Sequence, residues 1–153
     1  MTVVERSFQL DVSEYYFRLT TESVRLNSNK KLSHCTLSDV VNDRAGRASE
    51  LVASYDAEHM SEHLRIIPSD GNISFGLTIL STSAESIDRA LPALADTLGK
   101  SVQFKDAISL MLHDLVVEAN ATHVLTKLGL LPQDSADYTV LLKKTPNNVI
   151  PFK

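Results

Sequence analysis

The chain has no tryptophan and only one cysteine, Cys35, among its 153 residues. A single thiol excludes an intramolecular disulfide and is typical of proteins from a reducing compartment. The opening residues are charged too early for a signal peptide, and no run approaches the roughly 18 apolar residues of a membrane span. We therefore expect a cytoplasmic protein with no membrane partner.

Excess basic charge is also missing, since 15 Lys and Arg face 19 Asp and Glu, for a formal net charge of −4. This balance disfavours a partner held mainly by neutralisation of its phosphates. Hydrophobic residues make up 43% of the chain, as in ordinary globular proteins. We expect a single α+β domain over residues 1–144, with a possible internal boundary near 68–72 and a flexible tail at 145–153. No internal repeat is evident.

The most apolar part of the chain predicts one long central helix at about residues 102–128. Its polar positions recur at helical spacing along one narrow stripe. The stripe consists of Asp106, Ser109, His113, Asn120, His123 and Lys127. Such a helix must be covered on most sides, by its own domain or by a second subunit. Because Val116 and Val117 interrupt the stripe, we predict that at least one of them lies in a subunit or partner interface.

The remaining pattern predicts a small antiparallel sheet packed against three main helices. Alternating apolar residues indicate strands at 3–10, 15–19, 74–79 and 138–142. A turn at 20–23 is expected to lead from the strand at 15–19 into a short strand at 24–26, as a hairpin, with a loop at 27–31. Ser38 is expected to cap a helix that reaches Tyr55, and another helical segment covers 56–64.

Thr82 is expected to start the next helix, which Pro92 should bend or split. We expect Gly99 to end that helix and Ser101 to cap the long one.

One short motif, His59-Met60-Ser61-Glu62-His63, resembles the H-x-x-E-H motif of the inverted zinc metallopeptidases. Histidines four apart share a helix face and can reach one Zn²⁺, while the glutamate activates a water molecule. A third protein ligand is required, and no glutamate follows Glu118. We therefore predict no metal, no cofactor and no catalytic residue, and retain His59, Glu62 and His63 only as weak candidate ligands.

The order of elements at 73–128 is strand, helix, Gly turn and helix, with Leu98-Gly99-Lys100-Ser101 at the turn. In outline this resembles the ribbon-helix-helix DNA-binding proteins, in which two chains pair one strand each and interlock their helices. The resemblance implies DNA contacts from Ser74 and Thr78, with Lys100 and Lys105 close by. The segment departs from the family because its strand has no Arg or Lys and because it is acidic.

Three functional hypotheses follow from these patterns. The leading one is a non-enzymatic cytosolic binding or regulatory protein that acts through protein-protein contacts, as a homo-oligomer joined at Val116 and Val117. The alternative is a DNA-binding regulator that uses the strand near 73–80. The third is a metal-dependent hydrolase built on the H-x-x-E-H motif.

Overall fold

The computed structural model describes residues 3–128, apart from the side chains of residues 124–126. The strand predicted at 138–142 and the predicted tail therefore lie outside the described residues. The predicted α+β class is confirmed, because helices pack against a two-stranded antiparallel sheet. In chain order the elements are β1 (Glu5–Val12), α1 (Glu14–Lys31), α2 (Leu37–Ala45), a 3₁₀ turn (Ala48–Glu50), α3 (Leu51–Ser54), α4 (Ala57–Ile66), β2 (Ile73–Leu80), α5 (Ser81–Leu98) and α6 (Phe104–Lys127).

The hairpin predicted at 15–26 and the loop predicted at 27–31 are wrong, since both segments belong to α1. Ser13 caps this helix by accepting a hydrogen bond from the backbone N–H of Tyr16 at 3.1 Å. The side chains that α1 buries recur every three or four residues and are mostly polar, which concealed the helical period. They are Tyr16, Thr20, Ser23 and Asn27. The alternating aromatic residues that suggested a strand instead remain partly exposed, as Tyr15 and Phe17 do.

The caps of α2 and α6 also differ from expectation. Thr36, not Ser38, caps α2 in a capping box with Asp39, and the helix ends at Ala45 instead of continuing to Tyr55. Ser101 does not cap α6, because the N–H of Gln103 donates instead to the carboxylate of Asp106 at 2.9 Å.

Two further expectations concern α5. This helix begins at Ser81, before the predicted Thr82, and it has no side-chain cap. It also runs unbroken past Pro92, contrary to the predicted split. Pro92 is exposed, so water can satisfy the carbonyl that its ring leaves without a donor. The predicted end at Gly99 is confirmed by its left-handed φ of 69°.

The fold contains an internal repeat that was not recognised in the sequence: β1, α1 and α2 follow one another in the same order as β2, α5 and α6. Helices α1 and α5 both have 18 residues, and both end at a left-handed residue, Leu32 and Gly99, which are 67 positions apart. The same offset relates the four buried positions of α1 to buried positions of α5. The pairs are Tyr16 and Ser83, Thr20 and Ile87, Ser23 and Ala90, and Asn27 and Leu94.

The strands repeat in sequence as well as in position, since 7–10 has the letters SFQL and 74–77 has SFGL. The strands pair antiparallel. In the pair near their centre, Gln9 lies opposite Gly76, the residue that is equivalent to it in the second repeat. A symmetric two-stranded ribbon requires that register. One chain therefore builds by itself a two-stranded ribbon whose backbone is close to two-fold symmetric.

One face of the ribbon covers the core. Val12 and Ile79 are fully buried, and Leu10 and Leu77 lie beside them. Helix α6 contacts all five other α-helices of the described residues, from α1 to α5. Among residues 3–128 no helix is both long enough and apolar enough to cross a lipid bilayer.

The long helix buries most of its apolar side chains within its own chain. The buried set is Ala107, Ile108, Leu110, Met111, Leu112, Leu115 and Ala121. Leu128, just beyond the end of α6, is 55% exposed. The side chain of Leu125 lies outside the described residues.

Candidate nucleic-acid interface and a buried histidine cluster

The outer face of the ribbon is exposed and polar. We define it by six side-chain positions on alternate residues of the two strands. They are Ser7, Gln9 and Asp11 on β1, and Ser74, Gly76 and Thr78 on β2. The hydroxyls of Ser7 and Thr78 are 2.9 Å apart, and the hydroxyl of Ser74 donates to Asp11. This face offers hydroxyl, amide and carboxylate groups, all of which can hydrogen-bond the edges of bases.

Basic side chains lie at the rim of the ribbon and are engaged in ion pairs. The ammonium group of Lys105 donates to the backbone carbonyl of Asp11 at 2.9 Å and pairs with Asp70 at 2.6 Å. Arg6, at one end of β1, pairs with Asp88 of α5 at 2.7 Å. Lys100 lies exposed in the turn between α5 and α6. The sequence thus placed Ser74 and Thr78 correctly on an exposed face, but that face carries little positive charge.

The histidines of the H-x-x-E-H motif contact a third histidine, His113, which belongs to the polar stripe of the long helix. His59 and His63 lie one turn apart on α4, and His113 lies on α6. The Nε2 atoms of His59 and His113 are 2.9 Å apart, and the Nε2 of His63 is 2.8 Å from the hydroxyl of Ser109. Ser109 and His113 are four residues apart on α6, as His59 and His63 are on α4. This shared spacing was the one feature of the sequence that could have suggested the contact.

The geometry of this cluster differs from that of a metallopeptidase site. Glu62 is 53% exposed and forms an ion pair with Arg65. The Nε2 atom of His63 is occupied by Ser109. Among the described residues, no group of three or more His, Cys, Asp or Glu side chains is arranged to hold a metal ion.

Burial keeps His63 and His113 uncharged at neutral pH. Desolvation, with added repulsion from His113 and His59, lowers the pKa of His63 to about 3. Desolvation and repulsion from His59 lower the pKa of His113 to about 4, although Asp114 acts in the opposite direction. A neutral imidazole has one donor and one acceptor nitrogen, so the Nε2 of His113 can either donate to or accept from the Nε2 of His59.

A buried ionic network lies beside the histidines and joins α2, α3 and α6. Arg44, 6% exposed, pairs with Asp114 at 2.5 Å and with Glu118 at 2.9 Å. The hydroxyl of Tyr55 donates to the second oxygen of Asp114 at 2.7 Å. The ring of Tyr55 also lies 4.9 Å from that of His59. Burial and the charge of Asp114 raise the pKa of Tyr55, so its proton stays in this hydrogen bond.

Val116 and Val117, the predicted interface residues, are both half-buried on α6. Val116 lines an open apolar groove, together with side chains of α1, α4 and the residue that follows α4. The other apolar lining residues are Tyr15, Leu19, Ile66 and Ile67, and the charged rim consists of Arg18, Glu22 and Arg65.

No protein-family model, no curated protein and no solved structure matches this chain. The functional proposal below therefore rests on the geometry of the chain itself.

Proposed function

We propose that the protein is a DNA-binding regulator that places the outer face of its ribbon in the major groove of duplex DNA. The observation that carries the proposal is the symmetric two-stranded ribbon, with one face on the core and the other exposed and polar. The major groove of B-DNA admits a two-stranded ribbon, and Ser, Thr, Gln and Asp side chains can bond the base edges there.

The internal repeat removes the main reason for preferring a protein-contact function. The surplus apolar surface of α6 suggested coverage by a second subunit. Helices of the same chain supply that cover, since α1 and α2 belong to one repeat and α5 to the other. In ribbon-helix-helix proteins a second chain provides the equivalent cover.

The charge of the outer face sets the expected mode of binding. Asp11 repels phosphates but can accept a hydrogen bond from the amino group of cytosine, and Gln9 can pair with adenine. Because Lys105 is already paired with Asp70, few cations are available to neutralise phosphates. We therefore expect weak binding to arbitrary sequences and a shallow dependence on salt, since the slope scales with the number of phosphates contacted.

Selection from a random duplex library tests the proposal. At about 0.15 M salt we expect random duplex DNA to bind more weakly than the ~10⁻⁴ to 10⁻⁶ M typical of non-specific binders. Repeated selection should nevertheless enrich a defined sequence. Gln9→Ala and Thr78→Ala should each weaken binding to that sequence by about 5–100-fold, the equivalent of ~1–3 kcal/mol for a lost base contact.

Thr97→Ala is the matched control, because it removes a hydroxyl from an exposed position near the end of α5. We expect it to leave DNA binding unchanged. Failure to enrich any sequence would refute the proposal. Tight, steeply salt-dependent binding that is lost on changing Lys100 and Lys105 to Glu would show phosphate-driven binding instead.

A contact between two copies of this chain through the Val116 groove is a second candidate function. The groove is apolar and its rim carries both signs of charge, so the same patch on two copies can be self-complementary. We expect the Val116→Lys, Val117→Lys variant to stay folded and to lose association. Light scattering at tens of micromolar measures this, and a monomeric wild type would refute it.

A further inference from the structure

We infer that the DNA site is non-palindromic and that a single chain recognises it. This inference rests on the proposed function and adds the class of target sequence. It follows from a mismatch between the backbone of the ribbon, which is two-fold symmetric, and its side chains, which are not.

The two-fold axis of the ribbon passes through the pair formed by Gln9 and Gly76, so it relates outward positions that are 67 residues apart. Ser7 corresponds to Ser74, so one pair is identical. Gln9 corresponds to Gly76, which has no side chain. In the third pair of equivalent positions, Asp11 corresponds to Thr78. A carboxylate only accepts hydrogen bonds, whereas a hydroxyl both donates and accepts them. Two of the three equivalent pairs therefore differ in hydrogen-bonding chemistry.

Symmetry in the protein is what makes a DNA site palindromic. Two identical subunits present the same side chains to both half-sites, so their operators mirror the two-fold axis. Fusion of both repeats into one chain removes that constraint, because each strand has its own sequence. Here β1 offers an amide and a carboxylate, which suit adenine and cytosine, whereas β2 offers hydroxyls, which discriminate less.

The size of the contacted sequence follows from the length of the outward face. The distance from Ser7 to Asp11 spans four residues, which is about 14 Å at ~3.4 Å per residue. At ~3.4 Å per base pair, the outer face covers about four base pairs. The preference should be strongest on the side of the site that faces Asp11.

Variants that restore side-chain symmetry test the inference. In Gly76→Gln, Thr78→Asp the outward face of β2 matches that of β1. A Cβ at position 76 would meet its nearest neighbour, the side-chain oxygen of Gln9, at 3.8 Å, an ordinary van der Waals contact. The reciprocal variant, Gln9→Gly, Asp11→Thr, gives both strands the outward face of β2 and provides a second test if the first variant folds poorly.

Parallel selections from one random duplex library compare the wild type with both variants, and native mass spectrometry counts the chains on each enriched duplex. We expect one chain on a non-palindromic wild-type site. We expect the Gly76→Gln, Thr78→Asp variant to enrich a palindrome that repeats one half of the wild-type site. The reciprocal variant should enrich a palindrome of the other half.

The outcomes separate this inference from the function on which it rests. A palindromic wild-type site, or the same non-palindromic site for all three proteins, would overturn the inference and leave DNA binding intact. Absence of any enriched sequence would overturn both.

Discussion

Acidification is expected to destabilise the protein well above the pH at which most carboxylates titrate. The pKa of His63 is about 3 and that of His113 about 4 in the folded chain, against about 6.5 for a histidine in an unfolded one. Both imidazoles are therefore neutral in the folded state and become protonated on unfolding below pH 6.5. Stability is complete above the unfolded pKa and falls as the pH drops toward the folded values.

The size of the effect follows from proton linkage. Each group contributes about 1.4 kcal/mol for every pH unit below 6.5, so the two together give a slope of about 2.7 kcal/mol per unit. Between pH 7.5 and pH 5.5 the expected loss in the free energy of unfolding is about 3 kcal/mol. This is a large share of the ~5–15 kcal/mol that stabilises a typical domain.

Urea denaturation at pH 7.5, 6.5 and 5.5 measures the loss. The variant His63→Gln, His113→Gln cannot take up these protons, so its free energy of unfolding should change by much less over the same range. It should also be less stable at pH 7.5, because the partners of both rings are lost. His123→Ala is the control, since His123 is exposed near the end of α6, and its pH dependence should match that of the wild type.

The reasoning would be refuted if wild type and double variant lost the same free energy between pH 7.5 and pH 5.5. In that case the histidines would be protonated without cost in the folded state.

Three further predictions concern stability and metal content. Arg44→Met should cost about 3–5 kcal/mol in urea denaturation because it breaks buried ion pairs to Asp114 and Glu118. Arg65→Met, which breaks an exposed pair, should cost far less, and similar costs for the two variants would contradict this view. Met111→Ala should cost about 2–5 kcal/mol, whereas Leu128→Ala should cost far less because Leu128 is 55% exposed. Protein purified without added zinc should hold far less than one equivalent by elemental analysis, and stoichiometric zinc that His59→Ala removes would contradict this.

Sequence periodicity predicted those elements whose buried side chains are apolar. The second strand was found because Phe75, Leu77 and Ile79 alternate with small polar residues. Helix α1 was missed because it buries hydroxyl and amide side chains, such as Thr20 and Asn27, beneath an exposed aromatic edge. The repeat was hidden for the same reason. Helix α1 has polar side chains at buried positions where α5 has apolar ones, as Thr20 does at the position equivalent to Ile87.

For the candidate sites, the sequence predicted which side chains share a face of one element but not which elements come into contact. Local spacing put His59 and His63 on one helix face and Ser74 and Thr78 on one strand face, and both placements occur in the structure. Contacts between distant elements could not be predicted. Local spacing could not show that α4 packs on α6 so that His59 meets His113, since that depends on the path of the chain between the two repeats.

The repeat and the histidine network occupy different parts of the molecule. The match between the repeats ends at Gly46, which ends α2, whereas the equivalent position of α6 is His113, where the helix continues. The histidines lie in the connection between the repeats and contact Ser109 and His113 of α6. Arg44, near the end of α2, pairs with Asp114 and Glu118 in the part of α6 that extends beyond the match. DNA recognition and acid sensitivity should therefore be separable. Gln9→Ala should weaken DNA binding without changing the pH dependence of the free energy of unfolding. A change in both would show that the ribbon and the histidine network are energetically coupled.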